Sequence, residues 1–199
     1  MNDKNGAENL GFAQSQTDKK PARENRWKWT ARELSQLAVF VALLLAAQFV
    51  FSFLPGVELV TVLFIVYAFS CGVRRGMLAA TAFSLLRQLL FGFFPNVLLL
   101  YLIYYNALTA CFGWLGHKVD KPLKNLWWLV GLACLFTVSF TLLDDVITPL
   151  WYRYAEKAAR AYFVASLSVM LPQVVCTAVT VGVLFLPLHK AFGLVTKRR

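Results

Sequence analysis

The sequence predicts an all-α integral membrane protein, a compact bundle of six transmembrane helices with both termini in the cytoplasm. Three observations carry that expectation. Of 199 residues, 59% are hydrophobic and the mean hydropathy is +0.60, the composition of a membrane-embedded chain. Apolar runs recur at about residues 34–54, 57–73, 76–94, 97–116, 126–148 and 163–188, against ~20 residues for one helical crossing. The basic residues, finally, alternate with those runs so that they collect on one side.

Taken in order, the first thirty or so residues are polar and hold no apolar core. They read as a disordered cytoplasmic tail (1–32) rather than a signal peptide, closed by a basic, aromatic stretch. There Trp27 and Trp29 stand among Arg26, Lys28 and Arg32, residues favoured at the headgroup level. The membrane domain is expected over 33–192, followed by a basic cytoplasmic terminus, 193–199. Arg74, Arg75, Lys118, Lys121, Lys124, Lys190, Lys197, Arg198 and Arg199 all fall on the tail's side of a six-span chain. The positive-inside rule then places both ends in the cytoplasm of a prokaryotic plasma membrane. The net charge of +10 is thereby spent on topology, and no nucleic-acid partner is expected.

Within the spans, the ionisable and amide side chains are few and gather in one half. At ~1.5 Å per helical residue, Arg87 lies past the midplane of span three toward the outside. Asn106 and Gln173 lie about midway through their spans, and Asp144 and Asp145 reach the outer turns of span five. Glu58 opens span two at the outer surface. Helical spacing groups Thr137, Thr141, Asp144, Asp145 and Thr148 on one stripe. Ser166, Gln173, Thr177 and Thr180 make a second stripe, Thr81, Ser84 and Gln88 beside Arg87 a third, and Asn106, Thr109 and Gly113 a fourth. Lipid satisfies none of these groups, so each stripe is expected to turn inward.

An intramembrane charge marks a functional site by default. Arg87 is open between holding a ligand anion and pairing with Asp144 or Asp145 to brace the bundle. Glu58 is open between a ligand contact and a favourable charge at a helix start. Aromatic residues surround the zone, Tyr105 and Trp151 among them, partly as pocket wall and partly as interfacial belt. The expected substrate-binding set is Glu58, Arg87, Gln88, Tyr105, Asn106, Thr141, Asp144, Asp145, Trp151 and Gln173, for a small polar molecule. Four scattered cysteines and two histidines at helix ends offer no metal or disulfide spacing, and neither a metal nor another cofactor is expected.

Span one carries a different signal. Ala38, Ala42 and Ala46 recur every four residues, spacing that lets another helix approach closely. Six spans in about 200 residues, both ends inside, an alanine-spaced first helix and a short connection from Ser52 to Glu58 together resemble the substrate-binding S component of an energy-coupling-factor (ECF) vitamin transporter. The resemblance spans roughly 34–192 and rests on layout. It implies capture of a vitamin-like molecule from outside, beneath the first loop. It also implies docking of the Ala38–Ala42–Ala46 face on a transmembrane coupling subunit that contacts two cytosolic ATPases. The chain has no phosphate-binding loop of its own, and no catalytic residue is expected. The alternatives are a six-span cell-shape scaffold, which leaves the polar stripes unexplained, and an intramembrane enzyme built on Asp144 and Asp145. Two consecutive helical carboxylates converge poorly on one point, and no HExxH or GxSxG motif supports an enzyme.

Overall fold

A computed structural model describes residues 30–53, 59–119 and 125–197. The described residues are helical apart from short turns, with six helices in sequence: α1 (Ala31–Phe51), α2 (Leu59–Cys71), α3 (Val73–Phe91), α4 (Pro95–Lys118), α5 (Leu126–Trp151) and α6 (Glu156–Lys197). No strand occurs among them. The chain divides into two units, 1–35 and 36–199. In the first, α1 starts with a reciprocal cap: the Glu33 N–H donates to Thr30 Oγ1, and the Thr30 N–H donates to the Glu33 carboxylate, both at 3.3 Å. Two of the backbone donors left over at a helix start are satisfied this way. The rest of the expected tail, the connection through Glu58 and the loop at Lys121 and Lys124 lie outside the described residues.

Four helices are long and apolar enough to cross a membrane: α1, α4, α5 and the Glu156–Gly193 part of α6. The other two fall outside that measure for physical reasons, the shortness of the second span having been expected. α2 has only 13 residues, about 20 Å at 1.5 Å per residue. α3 has 19 residues but carries Arg74, Arg75 and Arg87. The expected loop over 149–162 contracts to Tyr152–Ala155. α5 continues to Trp151 with Pro149 inside it, and α6 runs 42 residues with Pro172 and Pro187 inside it. Pro149 and the charged residues from Arg153 to Arg160 stood outside the expected spans and lie largely in helix here, whereas Pro172 and Pro187 fell inside the expected 163–188 span, as they do inside α6.

The shortest helix is the most enclosed. Every residue from Val60 to Phe69 of α2 is buried, as expected of a helix that is apolar all round. α3, α4 and α6 pack around it. α3 lies on α4, and α5 on α6, with α4 also against α5. α1 reaches the core through large side chains: Phe40 stacks on Tyr67 at 3.9 Å between ring centroids and meets Phe64 and Phe192 edge-on.

Glycine sets the closest approach. Gly72, at φ 86°, is the single residue between α2 and α3, a conformation that side chains resist. α4 seats that junction on Gly113 and Gly116. A Cβ on Gly113 would come within 2.7 Å of the Val73 backbone nitrogen, and one on Gly116 within 2.2 Å of the Phe69 carbonyl oxygen. Since lipid is as apolar as leucine, such close packing holds helices together in a membrane where water exclusion does not. The same end of the bundle holds both histidines: His189 Nδ1 is hydrogen-bonded to Ser70 Oγ at 3.0 Å, and His117 Nδ1 to the Gly113 carbonyl at 3.1 Å.

Candidate functional site

The opposite end gathers the polar side chains of α3, α4, α5 and α6. The α3–α4 turn is built from Gly92, at φ 94°, followed by Pro95 at the first position of α4, where proline's missing N–H costs nothing. Gln88, 5% exposed, locks this turn from the last part of α3. Its Oε1 accepts the Phe94 backbone N–H at 3.0 Å.

Asp144 anchors a directed network. Tyr152 donates to Asn96 Oδ1 at 3.3 Å, Asn96 Nδ2 donates to Thr148 Oγ1 at 3.3 Å, and Thr148 donates to Asp144 Oδ1 at 2.7 Å. From α6, the Tyr162 hydroxyl donates to Asp144 Oδ2, also at 2.7 Å. Each of these hydrogen bonds is donated in the direction of the carboxylate. Asp145 reaches the next turn of α6, where its Oδ2 accepts from Ser166 at 2.7 Å. Its Oδ1 is buried and, among the described residues, has no hydrogen-bond donor. Consecutive residues diverge by ~100° around a helix, yet both carboxylates engage α6, one turn apart.

Arg87 meets neither of them. Among the described residues it forms no ion pair. Its guanidinium carbon instead lies 4.5 Å from the Tyr101 ring centroid and 4.9 Å from that of Phe91, a cation held against aromatic faces. Its Nε is buried with no acceptor. The brace between Arg87 and Asp144 or Asp145 that the sequence left open is therefore absent: the two carboxylates take hydroxyl donors, and the arginine takes rings.

The remaining expected site residues separate into groups. Thr141 is buried and bonds back to the Thr137 carbonyl, while Thr137 and Thr177 share a 3.0 Å hydroxyl contact between α5 and α6. Asn106 ties α4 to α3, accepting from Thr81 at 3.4 Å and donating to the Leu102 carbonyl at 2.7 Å. Tyr105 is enclosed by Phe64, Phe83, Tyr101 and Tyr104, so its ring belongs to the core. Trp151 is 52% exposed at the end of α5. Gln173 is partly buried on α6, and Glu58 lies outside the described residues. The structure adds Asn96 and Tyr162, which the sequence did not mark, and Tyr152, which the sequence grouped only with the aromatics around the zone. The signal for Asn96 and Tyr162 was polarity beside Pro95 and in the segment read as a loop.

The Ala38, Ala42 and Ala46 side all faces outward. Leu37, Phe40, Val41, Leu44 and Ala47 make the buried side of α1, and the three alanines are exposed. No family model, curated protein or solved structure matches the chain.

Proposed function

We propose that this chain is the substrate-binding S component of an ATP-driven ECF-type importer. It captures a small water-soluble, vitamin-like molecule at the Asp144 end and docks through α1 on a membrane coupling subunit served by two cytosolic ATPases. The observation that carries the reading is a division of labour within one bundle. The polar side chains of four helices converge at one end, while α1 presents an exposed small-residue face whose first alanine, Ala38, lies toward the other. A transporter subunit that binds its cargo alone and borrows its energy needs both features, kept apart.

In this reading the chain crosses the plasma membrane six times. The short α2 crosses inside a ring of longer helices, and α3 turns Arg87 onto Tyr101 instead of lipid. The basic clusters at Arg74–Arg75, at Lys118 and at both chain ends then face the cytoplasm, and the Asp144 end faces outward. Binding the molecule outside, before docking, needs no nucleotide site in this chain.

The test is mass spectrometry of the small molecules released when the full-length protein, purified in mild detergent, is denatured. It is combined with co-purification against a coupling subunit and its ATPases. A single enriched small molecule and a complex that depends on the α1 face are the expected results. Protein that carries no such molecule and enters no such complex behaves as a scaffold, and the proposal fails.

A further inference from the structure

Among the described residues, two buried hydrogen-bond donors on consecutive residues of the last part of α3 have no acceptor. Gln88 Nε2 is one. Because Oε1 is committed to the Phe94 N–H, the amide orientation is fixed, and the buried Nε2 is left as an unused donor. Arg87 Nε is the other. The Gln88 side chain extends past Phe91 to Phe94, and that of Arg87 extends over Phe91. Gln88 thus reaches the turn itself, and Arg87 lies over the last residue of α3 and over Tyr101 of α4.

The charges nearby sharpen the chemistry. Both oxygens of Asp144 already accept from Thr148 and Tyr162, and no carboxylate neutralises Arg87 among the described residues. A guanidinium held by aromatic rings still favours an anion, and a buried amide donor without an acceptor is destabilising. An anionic group with acceptor oxygens complements the charge of the one and the unused donor of each. Ammonium, amide N–H or purely apolar groups satisfy neither.

We propose that Arg87 and Gln88 form the oxyanion-recognising part of the binding site, taking the carboxylate or phosphate of a water-soluble ligand. The inference rests on the substrate-binding reading above and names the class of substrate. Arg87 supplies the charge, and Gln88 supplies a neutral donor whose direction is set by its bond to the α3–α4 turn.

The experiment measures the unfolding midpoint of the full-length protein in neutral detergent. The probes are benzoate, benzamide, nicotinate, nicotinamide and inorganic phosphate, titrated at constant ionic strength. At least one anionic probe raises the midpoint, and the matched amides leave it unchanged. The apparent affinity for that anion falls about ten- to hundredfold in Arg87→Gln and in Gln88→Glu, the range expected for losing a hydrogen bond to a charged group. Arg87→Lys recovers part of it. Gln88→Glu keeps an acceptor for the Phe94 N–H, and when ionised it removes the amide donor and adds a negative charge that repels the anion. Should that variant fail to fold, Arg87→Gln carries the test alone.

Equal stabilisation by the amides overturns the proposal. So does an anion response that persists in Arg87→Gln, or no response to any anionic probe. Stabilisation only by phosphatidylglycerol over phosphatidylcholine in nanodiscs assigns the donors to a lipid headgroup and also overturns it. Assembly with a coupling subunit is scored separately, so loss of the transporter reading and loss of the anion site give different results.

Discussion

The Tyr162 hydroxyl and Asp144 Oδ2 meet at 2.7 Å across the junction of α5 and α6. This bond, with the Ser166–Asp145 contact one turn on, ties the start of the longest helix to the polar end of the bundle. Tyr162→Phe removes one donor and leaves the carboxylate in place. We expect a loss of about 1.5–3 kcal/mol of stability, the range for a hydrogen bond to a charged group. Chemical denaturation in mixed micelles checks it. A double-mutant cycle with Asp144→Asn gives a coupling of at least about 0.5 kcal/mol if the pair interacts directly; strict additivity rules the contact out.

Gly116 tests the packing of α4 on the α2–α3 junction. An added methyl group would sit 2.2 Å from the Phe69 carbonyl oxygen and 2.9 Å from its Cα, both backbone atoms that cannot rotate away. Gly116→Ala is expected to cost about 1–3 kcal/mol or more, as overpacking does. Gly131, with nothing within 4 Å of its Cβ position, supplies the control: Gly131→Ala leaves the unfolding midpoint unchanged or raises it slightly.

The exposed face of α1 predicts a separation of phenotypes. Ala42→Trp places an indole on a surface that touches nothing in the core, so folding and small-molecule retention stay at wild-type levels. Assembly with the coupling subunit falls several-fold in co-purification. A complex that forms normally with tryptophan at position 42 removes this face from the docking scheme.

Between α5 and α6, Thr137 and Thr177 are both buried, with their hydroxyls 3.0 Å apart. Hydrogen bonds between membrane helices average only about 0.6 kcal/mol, because the unfolded chain in the membrane also finds partners. Thr177→Val is therefore expected to cost about that much, less than the charged Tyr162–Asp144 contact. Denaturation of the two variants side by side gives the ranking.

Much of the helical layout was legible because a membrane demands it. Apolar runs of the right length can only be helices or barrel strands, and the alternation needed for strands is missing. The inward turn of Thr137, Thr141 and Thr148 followed from their three- and four-residue spacing. Periodicity shows which residues share a face, but not which helix that face meets. So the pairing of Arg87 with Tyr101 and Phe91, in place of an aspartate, could not be read from the chain. The same limit hid Asn96, which lies 52 residues from its partner Thr148. It also hid Tyr162, which the sequence placed in a connecting loop. Pro149 marked the expected end of span five at 148, yet α5 continues through it to Trp151.

α6 also has a mechanical consequence. From Tyr162 to His189 it spans about 40 Å at 1.5 Å per residue. Its near end is fastened to Asp144, and its far end to Ser70 through His189. Three residues beyond, Phe192 abuts Phe40 of α1 at 5.8 Å between ring centroids. A single rod thus touches both the carboxylate network and the helix that bears the alanine face. Pro172 and Pro187 lie within the stretch that joins these two contacts or at its far end, so a substitution that stiffens or bends α6 there acts on both at once.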